Sequence, residues 1–270
     1  DRSARGDGLP MNGRSEREGR RSVPDAPDRR CEPRTYRNRI VPEGDLPAFA
    51  VCVRETDLFL RADRDLSREA LEAVHACRAQ IEVYARLHPD FLHSRIPLPE
   101  DPIAPDIVRR MLLAARQTEV GPMAAVAGAI AEYVGRRLGT LAGISNVMVE
   151  NGGDIYLDCK RDLQVEILAG QSPLSGKIAL VIRSDRMPLG VCTSSGTVGH
   201  SFSYGRADAV CVLSGSAALA DAAATRIGNL VQSSRDIEKG LKVAEGIPGL
   251  RGVVVICGES LGLAGDVELS

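Results

Sequence analysis

LGVCTSSGTVGHSFSYGRADAVCVLSGSAALADAAATRIGN, residues 189–229, decides how the chain is read. An apolar run ends at Cys192. A loop of Gly, Ser and Thr follows and is closed by His200. A second apolar run, Ala209 to Leu213, leads into a helix of unusually small residues. Asp221 and Thr225 stand four positions apart on that helix, so both project from one face. A carboxylate and a hydroxyl beside a loop rich in N–H and O–H donors suit a phosphate-bearing small molecule with a hard cation such as Mg²⁺. The competing reading is a hydrogen-bonded core Asp with a Thr bonded back to its own helix. Spacing alone leaves both open.

The loop donors are Thr193, Ser194, Ser195, Gly196 and Thr197. They form neither a Walker loop, which ends in Gly-Lys-Ser/Thr, nor the G-x-G-x-x-G of dinucleotide folds. Cys192, at a strand end against these donors, is a candidate thiolate. His200 is a candidate base, phosphate contact or ligand. Further back, Asn151-Gly152-Gly153-Asp154 sets an amide and a carboxylate on either side of a tight turn, which is also ordinary turn chemistry.

Working outward, the rest of the chain predicts α+β with largely antiparallel sheets. Phe49–Ala62 alternates as a strand or strand pair, and helices are expected over 67–87 and about 105–118. GPMAAVAGAIAEYVGRRL opens with Pro in the first helical turn, and Gly139 is placed to end it. SNVMVENGGDIYLD reads as strand, Gly-Gly turn, strand. LQVEILA and KIALVIR are two more strands, and a helix over about 235–245 precedes the closing strands GVVVICG and LGLAGDVEL. Strands follow one another without intervening helices, which argues against a doubly wound parallel sheet. AAVAGAIA (124–131) and AALADAAA (217–224) agree at five of eight positions, an echo that suggests internal duplication.

Composition narrows the function classes. The chain has 270 residues, a formal net charge of −2 and no Trp. Nothing in that balance calls for a nucleic-acid or membrane partner. Seven scattered cysteines without CxxC spacing predict reduced thiols and a cytoplasmic location. Residues 1–34 carry almost no large apolar side chains and read as a disordered tail, with Met11 an alternative start. Residues 35–270 read as one domain.

VGPMAAVAGAIAE, VENGGDIYL, SPLSGK, PLGVCTSSGTVGHS and LADAAAT, in this order, resemble the ApbE superfamily of FAD:protein FMN transferases. They are closer still to its bacterial and archaeal ApbE-like branch. The resemblance implies a T-fold-like architecture, with helices on one face of the sheet and two similar α+β halves. It implies a site for FAD or FMN between the halves. It places Mg²⁺ on Asp221 and Thr225, and makes Gly152, Gly153, Asp154 and the segment Thr193–Gly196 pocket residues. It also shows departures. The transferases carry Lys-Gly-x-x-x-Asp on the earlier helix; here Ala127 stands for the Lys, Gly128 is kept, and Glu132 replaces the Asp. Their later His motif is shortened around His200.

The expected site is therefore Cys192 and His200 as reacting groups and Asp221 and Thr225 as metal ligands. The ligand contacts are Asn151, Gly152, Gly153, Asp154, Thr193, Ser194, Ser195, Gly196, Thr197 and Glu132. The function expected is binding of a flavin nucleotide or other phosphate-bearing ligand with Mg²⁺, with FMN transfer lost or altered. Thiol or persulfide chemistry at Cys192 and a non-enzymatic assembly subunit are the alternatives. A homo-oligomer is expected by analogy with related sheets.

Overall fold

The computed structural model describes residues 46–196 and 205–270. The proposed tail, Thr197 and His200 lie outside the described residues. Eight strands form one antiparallel sheet in the order β1-β2-β3-β4-β7-β8-β9-β10. They are β1 (Ala48–Val53), β2 (Thr56–Ala62), β3 (Val147–Asn151), β4 (Asp154–Asp158), β7 (Leu189–Ser194), β8 (Ala209–Ser214), β9 (Leu250–Cys257) and β10 (Ser260–Gly265). Each neighbour is the next of these strands in the chain, so short turns or helices suffice to connect them.

Alternation assigns the two faces of the sheet. Val147, Val149, Tyr156, Cys192, Val210 and Val212 point into one core, Met148, Ile155, Leu157, Val191, Cys211 and Leu213 into another. The first core is roofed by α1 (Ser67–Leu87), α3 (Asp106–Thr118), α4 (Val126–Gly139), α5 (Ala217–Leu230) and α6 (Ile237–Glu245), with the short α2 (Asp90–His93) beside α1. LQVEILA and KIALVIR do not join the main sheet. They form a separate hairpin, β5 (Leu163–Glu166) with β6 (Ala179–Ile182), whose side chains share the second core. The chain end docks there: Leu180 pairs with Leu269, and Ala179 exchanges backbone bonds with Ser270. This cover explains why β3 and β4 read as apolar runs rather than clean alternations.

The topology repeats as two strands, helices, two strands, first β1 to β4 and then β7 to β10. The sequence echo does not follow that repeat. α4 is the last helix of its half and α5 the first of its own, so the two are not equivalent. They are alike because they pack on each other. On α5, Ala217, Ala218, Ala220, Ala222, Ala223 and Ala224 are all buried. A helix covered on most sides with close neighbours has room for little beyond methyl groups.

Closest approach is at Ala217. A Cβ on Gly128 of α4 would overlap the Ala217 carbonyl, and one on Gly190 of β7 would overlap the Ala217 Cα. Gly139 sits in the last turn of α4, where a Cβ would meet only a carboxylate oxygen of Asp158 at 3.8 Å. No helix among the described residues is long and apolar enough to cross a membrane.

Gly128→Ala should lower the chemical-denaturation midpoint by the equivalent of about 1–3 kcal/mol, because backbone must move to admit the methyl. Gly139→Ala should stay within about 0.5 kcal/mol of the parent. Equal midpoints for the two variants would show that α4 and α5 are not held at backbone contact.

Candidate functional site

The β3–β4 turn brings in the first pair of side chains. Asn151 and Asp154 face each other across it, and Gly152 and Gly153 take φ of 70° and 106°. Two consecutive positive φ values make the two-residue hairpin turn that Gly accepts without a Cβ penalty. The glycines are thus explained by the backbone alone. Asn151, on the helix side with Val147 and Val149, donates from Nδ2 to the Ala127 carbonyl of α4 at 3.0 Å. Glu150 points to the opposite face, where its Oε1 accepts from the Gly153 N–H at 2.8 Å.

β7 lies beside β4 with Cys192 opposite Asp154. α5 passes over this point, tied by its first turn. Asp221 Oδ2 accepts from the Gly128 N–H at 2.9 Å, and the Ala127 N–H also serves this carboxylate. Asp154 accepts from the Thr193 N–H and feels the Asp221 charge. The Cys192 thiol has two acceptors in reach, the Ala217 carbonyl at 3.3 Å and the Asp154 carboxylate. Gly196 donates to the Ala207 carbonyl at 2.9 Å and closes the base of the Gly-Ser-Thr loop. Gly205, at the loop's other end, lies so close to Gly228 of α5 that a Cβ would overlap its carbonyl. The loop base and the helix carrying Asp221 and Thr225 therefore adjoin. Asp221, Thr225, Gly153, Ser194 and Ser195 are half-buried, and Gly152 and Gly196 exposed. These half-buried and exposed residues are where the candidate site meets solvent.

Two carboxylates share this place, and burial disfavours the charged form of each. Burial pushes Asp221 up to about 7, against the pull of the Gly128 and Ala127 N–H groups. Asp154 is held well above the usual carboxylate range, first by burial and then by the Asp221 charge. Like charges in a poorly solvated site resist joint ionisation.

Several expected residues are not where the sequence reading put them. Cys192 is fully buried, and burial with the Asp154 and Asp221 charges pushes its thiol well above the ordinary value. Burial and two neighbouring carboxylates disfavour its thiolate, so the structure lends the thiol reading no support. Among the described residues its four free companions Cys77, Cys159, Cys211 and Cys257 are also raised by burial, whereas Cys52 is disulfide-bonded, so the expectation of reduced thiols does not hold for every cysteine. Thr193 turns its side chain to the far face, where it bonds the Cys211 thiol; only its N–H serves the site.

Glu132 is 1% exposed and reaches no cleft. Its Oε2 accepts from Ser216 Oγ at 3.0 Å and from the Ala217 and Ala218 N–H groups at 2.8 and 3.4 Å. Its Oε1 takes Arg110 at 3.3 Å and Arg136 at 2.9 Å. It is an anion bound at the α5 N-terminus, where the free N–H groups and helix dipole favour one. Sequence reading also missed the amides of Ala127 and Gly128 as partners of Asp221. Backbone donors carry no residue signature, and the only signal was the small-residue run itself.

The family described as AbpE bacteria matches residues 38–263. The chain belongs to this family. It is 41% identical over 222 residues to a UPF0280 protein of Methanococcus aeolicus, covering 80% of this chain and 89% of the relative. It is 40% identical over 217 residues to one of Methanosarcina acetivorans, covering 80% and 85%. The fold is similar to that of the flavinyl transferase ApbE of Pseudomonas stutzeri in its apo form, with a TM-score of 0.53, 15% identity and 82% and 94% of the two chains covered. A variant of the Vibrio cholerae flavin transferase ApbE gives a TM-score of 0.53 at 13% identity, covering 82% and 97%. These matches establish an ApbE-like α+β fold.

A carboxyl whose folded-state value is raised binds a proton in the folded chain that the unfolded chain has released. Stability should therefore fall as pH rises from about 4 to about 7 and level off above, since the unfolded carboxyl ionises near 3.9. In metal-free buffer Asp221→Asn should flatten that slope and melt higher than the parent at pH 8, with the difference gone by pH 4. A parent melting at or above the variant at pH 8 would show that the pair carries no such burial cost.

Proposed function

We propose that the cleft binds a flavin nucleotide, or a related phosphate-bearing ligand, together with Mg²⁺. The observation that carries this reading is geometric: Asp154 pairs with Cys192, whose thiol meets the first turn of α5, the helix that carries Asp221 and half-buried Thr225, and Ser194 and Ser195 follow on the same strand end. The donor set fits Mg²⁺. No three His, Cys, Asp or Glu side chains converge as a closed cage among the described residues. Mg²⁺ prefers one or two carboxylates and completes its shell with water and phosphate oxygens. Asp221 and Thr225 would hold it, with Asp154 nearby. The ion would supply charge neutralisation for the phosphates. Gly152 and Gly196, exposed and free of side-chain bulk, let a ligand approach backbone N–H groups. The ApbE-like fold and the flavin transferases that share it favour a flavin nucleotide over other phosphates.

The same residues favour holding over transfer. Passing FMN to a hydroxyl needs a group that takes the hydroxyl proton. Ala127, at the place of the transferases' Lys, offers only backbone: its carbonyl is taken by Asn151 and its N–H by Asp221. Glu132 is sealed in the helix layer.

Titration calorimetry of the purified chain with FMN, FAD or riboflavin, in MgCl₂ and in EDTA, tests the reading. Saturable binding of the nucleotides, lost in EDTA and absent for riboflavin, is expected. Asp221→Ala should weaken it about tenfold or more, the scale of a lost charged contact. Nucleotide binding that ignores Mg²⁺, or none at all, would overturn the proposal.

A further inference from the structure

Glu132 is a buried charge that the ligand reading leaves without a task. It joins three helices: Arg110 from α3, its own α4, and the first turn of α5 through Ser216, Ala217 and Ala218. Ala217 is also the point where α5 touches Gly128, Gly190 and the Cys192 thiol. Asp221 lies one helical turn further on, bonded back to the Gly128 N–H. Glu132 and Gly128 are likewise one turn apart on α4. The two contacts are thus parallel rungs between the same helices, one at each level. α5 presents mostly methyl groups to its neighbours, and uniform packing of that kind specifies register less sharply than a directional polar bond does. A directional, charged bond at its first turn is what selects one register.

We propose that Glu132 is a positioning residue for Asp221, fixing the register of α5 on α4 so that the carboxylate meets the Gly128 amide. Arg110 and Arg136 are half-exposed and stay hydrated when their partner loses its charge, so the isosteric Glu132→Gln variant keeps the fold. Ser216→Ala removes a cap while leaving Glu132 on the backbone.

Hydrogen exchange of the full chain, resolved by amide, reads the register directly, with the β9 amides of Val253 to Val255 as internal reference. In Glu132→Gln the Ala217 and Ala218 amides should exchange faster than in the parent. The Gly128 amide, which Glu132 does not touch, should follow by on the order of tenfold as its charged acceptor moves. Ser216→Ala should leave Gly128 as it is. Unchanged Gly128 protection in Glu132→Gln, with Ala217 and Ala218 released, would reduce Glu132 to a local cap and overturn the proposal. So would a β9 rate that rises in step with Gly128.

A second readout rests on the Mg²⁺ reading above: affinity for Mn²⁺ alone, followed by paramagnetic resonance, should fall about tenfold in Glu132→Gln, as for supports of ligating groups in metal sites. Equal Mn²⁺ affinity in variant and parent would count against positioning. A parent that binds no divalent cation would remove the metal reading, and the exchange pattern would still decide the role of Glu132.

Discussion

Everything at this site depends on the backbone of α5 resting directly on that of α4 and on β7 at Ala217. Two glycines, Gly128 and Gly190, make the approach possible by lacking the atom that would prevent it. Packing of this closeness is unforgiving, because interiors are dense and no side chain is there to give way. It has a chemical consequence. Only with the helices at backbone contact does the carboxylate of Asp221 reach the main-chain amide of Gly128. A helix pair separated by ordinary leucine-sized side chains, at 8–10 Å between axes, would leave that amide inside its own helix and the Asp without it.

The acidic pair is tolerated at a cost. Burying a carboxylate is unfavourable unless bonds replace the lost water. Here each carboxylate receives main-chain N–H groups: Asp221 from Gly128 and Ala127, Asp154 from Thr193. Those bonds do not offset burial and mutual repulsion, since both groups are left above the usual carboxylate range. The contrast with Glu132 is instructive. That carboxylate is more deeply buried than either, yet two arginines and the α5 N-terminus surround it with positive charge and N–H donors. One anion in the helix layer is fully answered; the two facing the cleft are not. On the proposed Mg²⁺ reading, a divalent cation would supply what the polypeptide withholds there.

The antiparallel α+β arrangement, the helix over 67–87 and the strand–turn–strand around Gly152 and Gly153 were legible because each rests on local rules of periodicity and turn geometry. The adjacency of the Gly-Ser-Thr loop base to α5 was legible in outline, since strand, loop, strand and helix follow one another closely. Other features were not. β5 and β6 look like sheet strands by periodicity, and nothing local says that they leave the sheet to cover its far face. The echo between α4 and α5 invites a duplication reading, but it reports that two helices in mutual contact need the same small side chains. Glu132 was expected among the ligand contacts; its place in the helix layer is set by Ser216 and Ala217, more than eighty residues away in sequence. Cys192 was expected at a strand end, but β7 runs on to Ser194, and its neighbouring carboxylates Asp154 and Asp221 were not legible because they meet it only in three dimensions.

The site also divides between the two topological halves. The first half contributes Asn151, Asp154 and the amides of Ala127 and Gly128; the second contributes Asp221, Thr225 and the strand that leads into the loop. Each half retains its own hydrophobic face, so the fold does not require the junction to be polar. What requires it is the pairing of main-chain donors from α4 with a side-chain acceptor from α5. Placing donors and acceptor on different halves makes their meeting sensitive to helix register, and uniform methyl packing specifies register less sharply than a directional bond does. An ionic anchor one turn away, on the same two helices, meets that need with the least bulk. Glu132 is long enough to cross from α4 to the first turn of α5 from a position where an alanine could not.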